Sequence, residues 1–374
     1  MSKNYKQNIL GNITFEEFFQ KFWGKKPLLI QNAIINEKNI LNKKEILNLA
    51  KKEDVETRVI ENKKNKYKLN NGPFRKVVPL KKNWTILING ANLHNEKVNQ
   101  FLNKFRFIPD NYLDDLMISY ACDRGGVGPH FDSYNVFLFQ AFGTKIWQIS
   151  NQKNLSLLPN QDLKILKEFF PSEEFNLKCG DMLYLPPKIA HNGISNGESI
   201  TYSIGFKSPE WSEILESFSE FLFEKLNHKE VYSLQELKKT NFPSKIDDDL
   251  IKKIKNKINT ELKNININVF LGEYFSEPKL SVFFSKPQNK LTKIEFKKNI
   301  KKLGFKLNKK TKMLYIKNYV FINGETILMP SKSKKLFINL ANQRVVLENQ
   351  SDFFPDNFLQ IIYEWYLDGW VEIN

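Results

Sequence analysis

Two side chains of the kind that bind metal ions, His130 and Asp132, lie one residue apart, directly after a glycine-rich run at residues 125–129. Alternate side chains of a β-strand point to the same face, so the imidazole and the carboxylate would be presented together. A second imidazole, His191, follows about sixty residues later, after a strand-and-turn sequence at 180–187. Two histidines and one carboxylate on one face leave metal coordination positions open, which is typical of non-haem Fe(II) oxygen chemistry.

A buried histidine held by a nearby aspartate is a common structural pair, and the His-x-Asp spacing alone does not exclude that interpretation. Two observations favour a metal. The chain has four histidines, of which two occupy the proposed ligand positions, and both lie beside Gly/Pro turns at the ends of predicted strands. The other two, His94 and His228, lie on predicted helices and are interpreted as surface or core residues.

Short apolar runs divided by Gly, Pro and Asn indicate the strands that would position the ligands. The predicted strands are 117–122, 135–141, 145–149, 181–185, 191–194 and 199–206. Many short strands with this punctuation predict a sandwich or barrel, whose interior holds one small ligand. We therefore expect an α+β chain whose site lies in a double-stranded β-helix, the cupin jelly roll. Helices and strands predicted at 12–31, 43–51, 61–73 and 95–105 precede it.

Beyond Pro209 the apolar residues recur at steps of three and four, which is the period of a helix. The two stripes consist of Trp211, Leu215, Phe218, Phe221, Leu222 and Leu226, and of Leu250, Ile251, Ile254, Ile258 and Leu262. A stripe of this width is expected to be buried, either within its own chain or against a second subunit, and both interpretations stay open.

A third region follows the linker at 285–289. Thr292 and Glu295 have the spacing of a capping box, Asn323 and Gly324 form the strongest short hairpin signal, and 353–366 is amphipathic. Helices combined with a hairpin predict a winged helix.

The formal net charge of +16 comes almost entirely from lysine, since arginine occurs at only five positions. Arginine is the residue that binds phosphates with defined geometry, so this charge is only weak evidence for nucleic-acid binding. Residues 110–207 are acidic instead, with eleven Asp/Glu against eight Lys/Arg. This contrast would suit a basic peptide substrate, and chance clustering of surface charge explains it equally simply.

No apolar run approaches the roughly 20 residues of a membrane span, and the N-terminal residues lack the apolar segment of a secretory signal. We therefore expect a cytoplasmic protein with no membrane partner. Cys122 and Cys179, the only two cysteines, are expected to be free thiols.

Several runs resemble the bacterial ribosomal oxygenases, JmjC-type members of the cupin superfamily. They are GGVGPHFDSYNVF (125–137), GTKIW (143–147), GDMLYLPP (180–187) leading to His191, YSIGF (202–206) and FWGKKPLLI (22–30). With the three-part layout, the resemblance spans nearly the whole chain.

The resemblance implies an Fe(II)- and 2-oxoglutarate-dependent hydroxylase acting on an arginine side chain of large-subunit ribosomal protein sixteen. His130, Asp132 and His191 would hold Fe(II), and 2-oxoglutarate would chelate the metal opposite them. The implied layout is a JmjC/cupin catalytic domain at 1–207, a helical dimerisation region at 208–285 that makes a homodimer, and a winged-helix domain at 286–374.

The far carboxylate of 2-oxoglutarate needs a cation, and Lys145 is the sole basic residue between Arg124 and Lys153. Lys145, Trp147 and Ile149 share a parity, so the lysine either faces the barrel interior with the tryptophan or both face outward. The resemblance predicts an arginine at this position in the arginine hydroxylases, whereas lysine is usual in the wider JmjC group.

Five further side chains are candidates for binding roles. Thr201 and Ser203 alternate onto one face of the last strand and Ser119 lies on the first, so their hydroxyls could bind the cosubstrate or could be satisfied within the sheet. Asp123 is a candidate partner for a substrate guanidinium, and Tyr134 for the wall of the substrate pocket.

Other functions stay open at this stage. Within the family, the alternatives are a histidyl hydroxylase and a demethylase. Outside it, they are a non-enzymatic metal-binding cupin and a winged-helix DNA-binding regulator. Residues 290–374 contain one arginine, Arg344, and the last predicted helix contains Asp356, Glu364 and Asp368, which argues against specific DNA binding.

Overall fold

The computed structural model describes residues 8–34, 40–63, 66–226, 239, 241–348 and 354–374. The chain divides into two compact units, Met1–Ser208 and Pro209–Asn374. The further division of the second unit into a dimerisation region and a winged-helix domain stays a prediction.

The first unit consists of short helices around one large sheet. Its elements are α1 (Phe15–Lys21), β1 (Leu28–Ile30), α2 (Lys43–Leu49), β2 (Thr57–Lys63), β3 (Lys66–Asn71), β4 (Trp84–Ile88), α3 (Glu96–Leu102), β5 (Leu113–Ala121), β6 (His130–Phe131), β7 (Asn135–Ser150), β8 (Glu173–Leu177), β9 (Met182–Leu185) and β10 (Ala190–Phe206). The strand order is β1-β9-β7-β10-β5-β4-β2-β3, with β6 beside β10 and β8 beside β7.

The long strands β7 and β10 each change partners along their length. Residues 136–139 of β7 pair with β9 and 145–149 pair with β8, while the beginning of β10 pairs with β6 and its end with β5. Between these halves β7 bends at Gly143, whose φ is 68° and where an added Cβ would collide with the Glu198 carbonyl. The register of β10 against β7 shifts at the same level, between Asn196 and Ile200. The two strands therefore belong to both layers of a jelly roll.

This bend corrects the sequence-based strand boundaries. The predicted strands at 135–141 and 145–149 are one strand, and so are those at 191–194 and 199–206. The glycine and asparagine residues that suggested chain breaks mark a bend and a register shift, because the backbone pairing of β7 with β10 resumes beyond them.

Side chains of β7 alternate between two hydrophobic clusters. Phe137 and Phe139 pack with Phe18 of α1 and Phe101 of α3 in the larger cluster. The inner cluster comprises Val136, Leu138, Trp147, Ile149, Leu177, Leu183 and Leu185. Because neighbouring residues of a strand point to opposite faces, the helices cover one side and the inner cluster fills the barrel.

The second unit combines helices with two three-stranded sheets. Its elements are α4 (Trp211–Lys225), α5 (Asp248–Asn264), α6 (Ile267–Ser276), α7 (Lys293–Leu303), β11 (Phe305–Leu307), β12 (Met313–Ile316), β13 (Tyr319–Ile322), β14 (Glu325–Leu328), α8 (Lys334–Gln343), β15 (Val345–Val346), α9 (Asp356–Leu367) and β16 (Val371–Ile373). The sheets have the orders β15-β11-β16 and β12-β13-β14.

Local signals in this unit identify the elements but not all of their bounds. Thr292 and Glu295 form a capping box at the start of α7. Asn323 and Gly324 turn β13 into β14, with Ile322 opposite Glu325. The amphipathic segment becomes α9, and its predicted start at residue 353 lies outside the described residues.

The apolar stripe of α5 is largely exposed, whereas that of α4 is divided. Trp211 and Leu215 are exposed, but Phe218 and Phe221 pack against Phe270 of α6 within the same chain. Neither helix has a buried residue. Trp211 is 79% exposed and Phe223 64%, while Ile254 and Ile258 are 46% and 53% exposed. Among the described residues, no helix combines the length and the apolar character needed to cross a membrane.

Candidate active site

The three predicted metal ligands meet at the paired ends of β6 and β10. His130 lies directly opposite His191 on adjacent strands, and Asp132 follows β6 by one residue. Candidate ligand atoms of the three residues all lie within 4.8 Å of one another. The Asp132 Oδ2 atom is 3.6 Å from Nε2 of His191, and the two imidazole centroids are 4.2 Å apart. This spacing allows one ion to contact all three side chains.

Backbone carbonyls orient both imidazoles. Nδ1 of His130 lies 2.9 Å from the Gly128 carbonyl oxygen, and Nδ1 of His191 lies 2.9 Å from that of Ile189. A carbonyl oxygen can only accept a hydrogen bond, so Nδ1 carries the proton in each ring. Nε2 of each ring is left with a lone pair for a metal, the arrangement that outer partners impose on metal-binding histidines.

Burial also keeps His191 in its metal-binding protonation state. The residue is 2% exposed. Burial lowers the pKa of His191 to about 4 and is the largest cause of the shift. The neighbouring His130 lowers the pKa further, whereas Asp132 raises it. The ring is therefore neutral at pH 7, and neutral imidazole is the form that coordinates metals.

Lys145 faces the barrel interior together with Trp147. The lysine is 4% exposed and the tryptophan 5%. The Lys145 ammonium lies 4.9 Å from the centre of the indole ring, a cation–π contact. Burial lowers the pKa of Lys145 to about 8. In the described part of the chain, no carboxylate pairs with this ammonium.

The register of β7 against β10 places this lysine and the metal ligands on one face. Ile149 lies opposite His191, Trp147 opposite Gly193, and Lys145 opposite Ser195. Directly opposed residues of antiparallel strands project to the same side of the sheet. The inner face thus carries the metal ligands at one end and the ammonium further along.

The predicted hydroxyl residues lie on neighbouring strands. Thr201 of β10 is opposite both Ser119 of β5 and Gln140 of β7. The Thr201 hydroxyl donates a hydrogen bond to the Gln140 side-chain oxygen at 3.1 Å. In this arrangement its proton is not directed at a cosubstrate. Ser119 is buried, and Ser203 is half-buried two residues beyond Thr201. Their cosubstrate roles stay predictions.

Asp123 and Tyr134 have different surroundings. Asp123 follows β5, accepts the Gly197 backbone N–H at 3.2 Å and lies 3.7 Å from the Lys82 ammonium. Tyr134 packs against the inner cluster, and burial raises the pKa of its phenol, with Asp132 adding to the effect. Their substrate roles also stay predictions.

The residues present fit a metal ion with an anionic organic ligand. Two neutral imidazoles and a carboxylate suit Fe(II) with open coordination positions. A buried ammonium without a counter-charge is costly, so an anion bound beside Lys145 would be strongly favoured. The Trp147 indole N–H is likewise buried without a hydrogen-bond partner among the described residues.

Comparison with known families agrees with this geometry. Residues 100–214 match the JmjC domain model, and residues 259–372 match that of the ROXA-like winged helix. The chain carries a JmjC domain followed by a ROXA-like winged helix. The predicted fold class and the predicted resemblance to the ribosomal oxygenases are both confirmed.

Similar proteins match both parts of the chain. The ribosomal protein uL16 3-hydroxylase of Escherichia coli is 26% identical over 96% of this chain and 98% of the relative. A probable ribosomal oxygenase of Haemophilus influenzae is 33% identical over 56% of this chain and 53% of its own length. The E. coli YcfD crystal structure aligns with a TM-score of 0.89 at 24% identity, covering 97% of this chain and 99% of that one. Another YcfD structure, a complex with cobalt and 2-oxoglutarate, aligns with a TM-score of 0.84.

Sequence reasoning missed two residues of the JmjC domain's inner face. Gln140, fully buried in β7, accepts a hydrogen bond from the Thr201 hydroxyl through its side-chain oxygen. Gly193 lies against Trp147 and Lys145, where a side chain would collide. Both could have been found from the sequence, because alternate residues of a strand share a face. Gln140 is two residues from Leu138 on an apolar strand, and Gly193 is two residues from His191.

Proposed function

We propose that the chain is an Fe(II)- and 2-oxoglutarate-dependent oxygenase that hydroxylates an arginine side chain of a large-subunit ribosomal protein. One observation carries the proposal: on the same inner face of the barrel lie a His-Asp-His cluster and a buried ammonium that no described carboxylate pairs with. A 2-oxo dicarboxylate has a metal-chelating end and an anionic end, which match these two features. A relative that aligns along nearly the whole chain is a ribosomal protein uL16 3-hydroxylase.

The chain's own residues bind and orient the reactants. When bound, Fe(II) provides the centre at which dioxygen and 2-oxoglutarate give succinate, carbon dioxide and a hydroxyl group on the substrate. His130, Asp132 and His191 would hold the ion, and the Lys145 ammonium would bind the far carboxylate. The surrounding inner cluster excludes water, which strengthens this charge pairing.

The arginine specificity rests on Asp123 and Tyr134. The Gly197 N–H bond fixes one oxygen of the Asp123 carboxylate, and the other faces an exposed lysine, Lys82. A substrate guanidinium can replace Lys82 as the partner, because a planar guanidinium pairs with a carboxylate through two hydrogen bonds. Tyr134 would form a wall of the pocket. The net negative charge of residues 110–207 supports a basic substrate.

Mass spectrometry of ribosomal proteins tests the proposal directly. Ribosomes from a strain lacking the enzyme are incubated with purified protein, Fe(II), 2-oxoglutarate and air, and the intact masses are measured. We expect one large-subunit protein to gain one oxygen atom, with fragmentation locating it on an arginine. The matched control omits 2-oxoglutarate. A gain of oxygen on a histidine would overturn the arginine assignment. If no protein gains oxygen, the proposal that the substrate is a large-subunit ribosomal protein is wrong.

The exposed stripes of α4 and α5 support a second proposal, a homodimer. Leu215 of α4 is 60% exposed, and four apolar residues of α5 spaced along one side of the helix are each at least 40% exposed. An exposed apolar stripe along a helix is typical of a protein interface. We propose that a second copy covers these stripes and that the enzyme acts in the cytoplasm, where ribosomal proteins are found.

A further inference from the structure

Gly193 lies between the two functional ends of the inner face. It is two residues from the metal-ligand position His191 and two from Ser195, which is opposite Lys145. An added Cβ at Gly193 would lie 2.7 Å from Cζ3 of Trp147 and 2.9 Å from Cε of Lys145. Both distances are far below a normal carbon–carbon contact, so the missing side chain leaves space that the lysine and the indole occupy.

The Lys145 side chain uses this space to extend towards the metal ligands. Its backbone lies opposite Ser195, four residues from His191, which corresponds to about 13 Å along a strand. Because Cε of Lys145 lies beside Gly193, the ammonium is carried back along β10 towards the histidine. The indole of Trp147 then holds the ammonium at 4.9 Å from its centre.

The backbone at Gly193 is closely packed against a neighbouring loop. On the glycine-rich loop before His130, an added Cβ at Gly126 would collide with the Gly193 carbonyl. Trp147 packs into the inner cluster on the other side. A methyl group at position 193 would therefore press on the lysine and the indole, and the flexible end of the lysine is the neighbour that can most easily move.

We propose that Gly193 is a positioning residue that sets the span between the metal ligands and the Lys145 ammonium, and so selects a five-carbon 2-oxo dicarboxylate. The inference rests on the proposed use of 2-oxoglutarate. A methyl group at 193 moves the ammonium back towards Ser195, which lengthens the span. The longer span disfavours the five-carbon acid relative to the six-carbon acid, 2-oxoadipate.

Binding to the Co(II)-loaded full-length protein tests this span. Oxaloacetate, 2-oxoglutarate and 2-oxoadipate are titrated into wild type and Gly193→Ala and followed by calorimetry. We expect Gly193→Ala to bind 2-oxoglutarate about tenfold more weakly, in line with the effect of overpacking a buried site. The preference for 2-oxoglutarate over 2-oxoadipate should shrink, with Co(II) affinity unchanged. Gly205→Ala on the same strand is the matched control, because an added Cβ there makes only ordinary contacts with Tyr134.

A second substitution separates positioning from general damage. Trp147→Phe removes the ring atoms nearest Gly193, so Gly193→Ala/Trp147→Phe should regain part of the lost 2-oxoglutarate affinity. If Gly193→Ala does not fold, Trp147→Phe alone should still weaken chain-length selectivity, because the ammonium loses its indole contact. Weakening of all three acids by the same factor in Gly193→Ala, or unchanged selectivity in both single variants, would overturn the inference. Failure of wild type to bind 2-oxoglutarate would instead overturn the proposed function on which it rests.

Discussion

The barrel interior and the surface of α4 and α5 depart from the usual pattern of burial in opposite directions. Lys145, a charged residue, is 4% exposed, whereas Trp211, a large apolar residue, is 79% exposed. A buried charge needs a counter-charge, and an apolar stripe needs a cover. The departure in each region indicates the chemistry of its partner: a small anion in the barrel and a protein surface on the helices.

The two regions also differ in how their partners must fit. In the barrel, the fixed positions of His130, His191 and Lys145 define the charge and length of one molecule. The stripes of α4 and α5 define only an area, which many apolar surfaces could cover. Substitutions in the barrel should therefore change individual steps of ligand binding, whereas those on the helices should change assembly and leave the chemistry intact.

Removing a metal ligand should have the largest effect. His130→Ala and Asp132→Ala should each lower 2-oxoglutarate turnover by more than about 1000-fold, a loss of over 4 kcal/mol, because the remaining two side chains cannot hold the ion in place. Succinate production measures the effect, and circular dichroism checks the fold. His94→Ala is the matched histidine control and should keep normal turnover. Near-normal turnover in either ligand variant would refute the metal site.

Charges on the α5 stripe should separate the subunits of the proposed dimer. Ile254→Glu combined with Ile258→Glu removes apolar contacts worth about 1.5–3 kcal/mol per buried side chain and adds repulsion. Light scattering at micromolar concentration should show the mass falling from about twice the 44.0 kDa chain to a single chain. Asn256→Glu, elsewhere on the same helix, should leave the dimer intact. A wild-type protein that is already monomeric would contradict the proposed dimer.

Removing the ammonium should affect the cosubstrate more than the metal. Lys145→Ala should weaken 2-oxoglutarate binding by about thirty- to a hundredfold, which corresponds to the 2–3 kcal/mol of a buried charge pair. Calorimetry on the Co(II)-loaded protein gives this affinity, and a separate Co(II) titration should be unchanged. Lys153→Ala, at an exposed position just beyond β7, is the control. Equal affinity in Lys145→Ala would place the anion elsewhere.

The sequence predicted those parts of the structure that depend on local spacing. The ligand pair His130 and Asp132 follows from ligand chemistry and strand parity, and the turn at Asn323 and Gly324 follows from its two residues. Parity also showed that Lys145 and Trp147 share a face. It did not show which face, because that depends on where distant elements such as α1 and α3 cover the sheet.

Contacts between distant residues could not be predicted. The bend at Gly143 is visible only through its approach to Glu198, and the two residues are far apart in sequence. For the same reason, the hydrogen bond from the Thr201 hydroxyl to the Gln140 side chain, 61 residues away, could not be predicted from the sequence. The residue types within one strand do not show which side chain of a neighbouring strand lies opposite a given residue.

The smallest effect we predict is a pH dependence that separates the buried ammonium from other sources of anion affinity. Because burial lowers the pKa of Lys145 to about 8, half of the free protein has lost the charged form at about that pH. Only the protonated lysine attracts a carboxylate by charge. Binding of 2-oxoglutarate should therefore be nearly constant below about pH 7, begin to weaken between pH 7 and 8, and approach a tenfold loss per pH unit above about pH 9. His191, with a pKa lowered to about 4, stays neutral across this range.

An arginine at the same position provides the decisive control. The guanidinium of Lys145→Arg stays protonated to beyond pH 12, so its 2-oxoglutarate affinity should not fall between pH 7 and 9.5 through loss of charge at this position. Any decline shared by wild type and Lys145→Arg reports the metal or its bound water, and only the difference between the two curves reports the lysine. If the two curves coincide, the ammonium does not bind the anion, and the burial of Lys145 needs another explanation.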